Sequence, residues 1–164
     1  MIFTAASIWQ SLTNGFSAIA QIELPTNKVN TFVGDFVQAA QTYGEFDFAL
    51  PQDYNGGTLT AIFYWIANSA SANSVVWGIQ GRAYADSNAL DQAFGAAVEV
   101  TDANTGTNQV NISTTSAAIT LAGAPAAGQR VASLPDHRGL GAAGGPAACR
   151  NQRPRGGAGR VAPA

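Results

Sequence analysis

Apolar and polar residues alternate with a period of two along much of this chain, the mark of half-buried β-strands. In "EFDFAL", residues 45–50, Phe46, Phe48 and Leu50 fall on one side and Glu45 and Asp47 on the other. Pro51 ends that run, and Asn55-Gly56 in "PQDYNGG" suits the positive φ values of a tight hairpin. The next run, Thr58 to Ala67, puts Leu59, Phe63 and Trp65 on one face and Ile62, Tyr64 and Ile66 on the other. A strand apolar on both faces is either central and covered twice, or buried on one side in a subunit contact. After the small-residue loop "NSASANS", Val75, Trp77 and Ile79 share a face, while Gln80, Arg82 and Tyr84 point away from it.

Weaker signals of the same kind cover Ile8-Trp9, Ile19 to Leu24, Val29 to Phe36, Val98 to Thr101, Val110 to Ser113 and Ile119 to Leu121. Only "DSNALDQAFGAA", residues 86–97, is suited to a helical turn, with Asp86 or Ser87 as its cap. Short strands with turn signals at this spacing predict an all-β fold, an antiparallel β-sandwich of jelly-roll type over residues 1–130.

Composition changes that picture at the carboxy end. Residues 130–164 hold seven Gly, eight Ala and four Pro, with no Ile and no aromatic residue. Such a segment has too little apolar surface to offset its ordering entropy, so residues 131–164 read as a disordered or loosely attached basic tail. Charge divides at the same place. Through residue 129, nine acidic residues face Lys28 and Arg82 for a net −7, whereas six Arg and one Asp follow for +5. An Arg-rich tail can attract nucleic acid or an acidic surface, but a solvated tail without a partner is the preferred reading. The whole chain is 46% hydrophobic but only 11% charged, a balance met in extracellular and virion β-proteins.

No run approaches the roughly 18 apolar residues of a membrane span, so no membrane partner is expected. The first residues, "MIFTAASIWQSLTNG", lack the basic and apolar regions of a secretory signal, which suggests synthesis and folding in a cytoplasm.

Candidate chemistry is sparse. The one histidine, His137, and the one cysteine, Cys149, both lie in the Gly/Ala/Pro-rich segment, which is poorly suited to a nucleophile–base pair. No phosphate-binding glycine motif and no zinc-ligand spacing is present, and no cofactor is expected. Asp86, Asn88 and Asp91 faintly resemble a calcium loop, yet Leu90 stands where an oxygen ligand is needed and the required Gly is missing. Glu45, Asp47 and Asp53 flank the aromatic run, and paired carboxylates can cleave glycosides. Alternation of Glu45 and Asp47 with Phe46 and Phe48 is better explained by a solvated strand face, so no catalytic residue is expected. Trp65 and Trp77 occupy apolar strand faces and read as core rather than as a sugar platform. Tyr54, on the turn, and Tyr84, at a strand end, are expected to be exposed and are the candidate ligand-binding residues.

Three stretches carry a resemblance: "FTAASIWQSLTNG", the run from "EFDFALPQDYNGG" through "VVWGIQGRAYADSNALDQAFG", and "AITLAGAPAAGQRV". Over residues 3–131 the chain resembles small virion-associated proteins of tailed bacteriophages and prophages, among them tail-fibre-like and virion structural proteins. The resemblance implies a non-enzymatic, all-β particle component, a tail-associated fibre module or a capsid decoration, assembled in the bacterial cytoplasm. It implies other virion proteins as partners and a homo-oligomer such as a trimer, with a host-surface glycan as the ligand in the alternative, carbohydrate-binding reading. Nucleic acid is not an expected partner. Family members continue past the "AAG" turn with further strands, where this chain reads "ASLPDHRGLGAAGG". Arg-, Gly-, Ala- and Pro-rich text of that kind is what a GC-rich gene yields out of frame. The native closing strands are therefore expected to have been lost to a frameshift.

Overall fold

The computed structural model describes residues 1–37 and 40–140, with residues 134–140 described by backbone alone. Among the described residues nine strands follow a single 3-10 turn at Ala5–Ser7: β1 (Trp9–Gln10), β2 (Ala20–Leu24), β3 (Val29–Val33), β4 (Thr42–Ala49), β5 (Tyr64–Ile66), β6 (Ser74–Tyr84), β7 (Val98–Ala103), β8 (Val110–Ile112) and β9 (Arg130–Leu140). They form a five-stranded sheet in the order β1-β4-β9-β6-β7 and two ribbons, β2-β3 and β5-β8. Every strand pairing is antiparallel. The fold is all-β and layered in the manner of a β-sandwich, as the period-two pattern predicts.

Alternation decides what faces the core. Along β6, Val75, Trp77 and Ile79 are buried on the inner side, while Gln80, Arg82 and Tyr84 are half-buried on the other. Phe63 and Trp65 come down on Trp77 from the β5-β8 ribbon, with ring centroids 5.7 and 6.3 Å away. Phe36 meets the same indole edge-on at 5.3 Å and stacks on Phe16 at 4.8 Å. Phe16 lies in a slot between two glycines: a Cβ on Gly34 would come within 2.6 Å of its ring, and one on Gly44 within 2.9 Å. A second cluster, Leu50, Ala83, Leu121 and Val131, closes the other end, with Phe48, Tyr54, Leu59 and Ile119 against it.

Several local expectations give way to long-range pairing. The Asn55-Gly56 turn, with Gly56 at φ +85, does not close a hairpin. β4 pairs with β1 and β9 and β5 pairs with β8, so residues 51–63 carry the chain from one layer to the other. Residues 86–97 form no helix. Ser87 has φ +67, and the Asn88 side chain accepts the Ala85 N–H at 3.0 Å, which makes this a turn held by side chains. β3 stops at Val33, short of the expected Phe36.

The largest difference lies at the carboxy end. Residues 131–140, expected within the low-complexity tail, form most of β9, between β4 and β6. Composition measures side-chain area, whereas a central strand is also held by its backbone on both edges, for which small residues suffice. Val131 is fully buried and Ser133 nearly so. Pro135 leaves its trace in the ladder. β9 pairs with β6 without a gap from Tyr84↔Arg130 to Ser74↔Leu140, but its pairing with β4 skips the two positions between Tyr43↔Asp136 and Phe46↔Ser133. A proline has no N–H to give, and the break falls on the β4 side. Residues 141–164, including Cys149, lie outside the described residues.

Where β5 runs on past its regular ladder, two serines replace backbone. The N–H of Ser113 donates to Phe63 O at 3.0 Å and that of Ser116 to Ala61 O at 2.9 Å. In return the Phe63 and Ala61 N–H groups donate to Ser113 Oγ at 2.9 Å and Ser116 Oγ at 3.0 Å. Each hydroxyl takes the place of a carbonyl in a distorted ladder, and both serines are buried. Replacing Ser113 or Ser116 by Ala leaves a half-buried N–H without its acceptor, so each substitution should lower unfolding free energy by about 0.5–1.5 kcal/mol in urea denaturation. Thr114→Ala, at an exposed neighbour, should change it by less than about 0.5 kcal/mol.

Trp65 and Trp77 are 4% and 5% exposed, against 45% for Trp9. Acrylamide should therefore quench one of the three indoles freely, and Trp9→Phe should remove that accessible component.

Candidate functional site

The outward face of the five-stranded sheet carries Glu45, Asp47, Arg82 and Tyr84 of the polar residues singled out in the sequence. Tyr43, Glu45 and Asp47 face out from β4, and Arg82 and Tyr84 from β6. Arg130, at the start of β9, sits directly opposite Ala49 on one side and Tyr84 on the other. That register lets its guanidinium reach diagonally to Asp47, with Nη2 and Nε donating to Oδ2 at 2.6 and 3.1 Å. The same guanidinium lies 5.6 Å from the Tyr84 ring centroid, and that of Arg82 lies 5.7 Å from it. Arg82 also donates through Nη1 to Ala93 O at 2.8 Å and through Nη2 to Gln92 Oε1. A line of charge and aromatic surface therefore crosses β4, β9 and β6 and ends on the 85–95 loop.

The two tyrosines expected to bind ligand are each half-buried and engaged. Tyr84 donates its hydroxyl to Leu90 O at 2.8 Å, and Tyr54 donates its own to Gly57 O at 2.9 Å. Tyr54 also packs on the Leu50 cluster. Both act as local pins, one for the 85–95 loop and one for the 51–57 turn. They are not the exposed rings that the sequence suggested, because each turn folds back on its own tyrosine.

Among the carboxylates, Glu45 and Asp47 share one strand face as expected, and Asp47 is ion-paired with Arg130. Asp53 lies in the exposed turn after Pro51, on a different element. Asp86 and Asp91 are exposed in the loop where Asn88 caps Ala85. Among the described residues no group of three His, Cys, Asp or Glu side chains is placed to hold a metal ion. No helix among them is long and apolar enough to cross a membrane.

Neutral side chains do similar work elsewhere. Trp65 donates its indole N–H to Asp102 Oδ2 at 2.7 Å, joining the ribbon to β7. Asn104 donates to Ser69 O and Ser71 O at 2.9 and 2.7 Å, and buried Asn111 accepts the Thr105 N–H and hydroxyl at 2.9 and 2.8 Å.

Two surface features are only partly legible in the sequence. Arg130 stands at the last position of the expected sandwich, and only its register with Tyr84 reveals its role. The outer face of the β5-β8 ribbon is the other: Ile62, Tyr64, Val110 and Ile112 are 45%, 67%, 67% and 58% exposed. The two-faced apolar pattern of residues 58–67 was its signal, since a subunit contact is one of the two explanations that pattern allows.

Tyr84→Phe removes the bond to Leu90 O and should cost about 0.5–1.5 kcal/mol of stability. Faster amide exchange confined to residues 85–95 is the expected readout by hydrogen-exchange mass spectrometry. Comparison of the chain with protein-family models, with curated proteins and with solved structures finds no match.

Proposed function

We propose that this chain is a non-enzymatic structural component of a bacteriophage particle, a tail-associated fibre module or a capsid decoration, built as a jelly-roll type of β-sandwich. The single observation that carries the reading is the engagement of its polar and aromatic groups with one another. Asp47 with Arg130, Arg82 with Gln92, Tyr84 with Leu90, Tyr54 with Gly57 and Trp65 with Asp102 all stiffen the scaffold. Shape is then what such a molecule offers. The resemblance of residues 3–131 to virion-associated proteins supplies the particle and, with it, assembly in the bacterial cytoplasm among other virion proteins.

The chain path supports the jelly-roll form. β9, the last strand among the described residues, lies between β4 and β6, and the connection from β4 to β5 changes layer, as Greek-key connections do. A glycan-binding role would have to work around the donated hydroxyls of Tyr54 and Tyr84, which leaves only ring surface for a sugar.

Mass spectrometry of purified particles from a lysogen carrying this gene should recover the protein in copy numbers comparable with other structural components. Particles complete and infectious without it would overturn the proposal. Glycan-array screening should give no binding that Tyr84→Ala removes.

A further inference from the structure

The β5-β8 ribbon turns one face to the core and the other to water. Phe63, Trp65, Asn111 and Ser113 fill the inner face, while Ile62, Tyr64, Val110 and Ile112 stand on the outer one. Register brings them together, with Tyr64 opposite Ile112 and Ile66 opposite Val110. At the exposures given above these side chains leave roughly 400 Å² of apolar surface in water, as large as the largest patch on an ordinary monomer. No charged residue occurs between Asp53 and Arg82 or between Asp102 and Arg130, so neither strand of the ribbon carries the charges that guard exposed strands. The β2-β3 ribbon differs: exposed Phe32 there lies on an element that also bears Glu23, ion-paired to Lys28 at 3.3 Å.

We infer that the outer face of the β5-β8 ribbon docks a second copy of this chain, ribbon against ribbon, about a two-fold axis. Chemistry selects the occupant. An anionic membrane or nucleic acid is disfavoured by the net −7 of residues 1–129 and finds no cation on this face. Residues 141–164 offer four Arg and one Val, with no Leu, Ile, Met or aromatic side chain to set against it. A second copy brings the same uncharged, apolar, twisted ribbon, which is self-complementary under two-fold symmetry. Two such ribbons stack as sheet layers do, about 10 Å apart. Their apolar faces together bury roughly 800 Å², and exposed Thr60 and Thr114 at the margin bring the total near the 1,000 Å² or so that a specific interface requires. An interface of that size is a weak one, of about micromolar affinity.

This inference rests on the structural reading above only in treating assembly as the product, and purified protein alone tests it. Sedimentation velocity of the full chain from about 1 to 200 μM, spanning the expected micromolar range, should show a monomer passing to a dimer. Ile112→Lys and Val110→Lys, both at side chains already in water, should each weaken association at least tenfold while the circular dichroism spectrum and urea midpoint stay unchanged. Phe32→Lys should leave association intact. A monomer throughout the range, a trimer, or an Ile112→Lys variant that associates as tightly as the parent would overturn the inference. A dimer lost on Ile112→Lys but absent from particles would uphold this surface and count against the particle role alone.

Discussion

The structure turns on the indole of Trp77. It sits in the middle of β6, the strand that pairs with both β7 and β9, and it receives Phe36, Phe63 and Trp65 at 5.3 to 6.3 Å. These rings come from the segment after β3, from β5 and from the residue just before it, so one side chain ties the five-stranded sheet to the chain that covers it. Buried aromatics of this size each remove roughly 150–250 Å² from water. Loss of such a ring from a core costs about 3–5 kcal/mol, a large share of the 5–15 kcal/mol that holds an ordinary domain together. Phe16 extends the cluster only because Gly34 and Gly44 give its ring room.

Around that core, most of the remaining cohesion comes from neutral groups. The ion pairs Asp47–Arg130 and Glu23–Lys28 both lie in partly or largely exposed positions, where such contacts contribute little and are screened by salt. Irregular segments are held instead by serine and asparagine side chains standing in for backbone. Ser113 and Ser116 complete a ladder that a bulge would otherwise break, and Asn104 and Asn111 satisfy the carbonyls and N–H groups of two loops. A low-charge composition is thereby compatible with a loop-rich fold, because the polar requirement is local and geometric rather than electrostatic.

The same accounting explains β9. Its residues are too small and too polar to look like a strand, and Pro135 argues against a central position. Backbone pairing along the whole of β6 nonetheless holds it there, with only a two-position gap opposite β4. A sheet slot selects for a chain that can be extended more than for a particular side chain. A small-residue segment that contains a proline can therefore still occupy the slot between β4 and β6.

Core membership was legible in the residues alone wherever the alternation is strong, whereas β9 was not legible as a strand. Period-two alternation in 45–50, 58–67 and 75–84 assigns Phe46, Trp65, Trp77 and Ile79 to the inside, since the pleat makes side-chain direction a local property. Partner choice was not legible. Asp47 meets Arg130 across 83 positions of chain, the Asn55-Gly56 turn leads away from its neighbouring strand, and the 86–97 segment takes its shape from Arg82 and Tyr84. Backbone hydrogen bonds carry no residue label, so which strands pair is decided by the packed layers as a whole. The candidate ligand residues follow the same division: the sequence placed Tyr54 on a turn and Tyr84 at a strand end, and only the folded chain turned their hydroxyls back onto its own carbonyls.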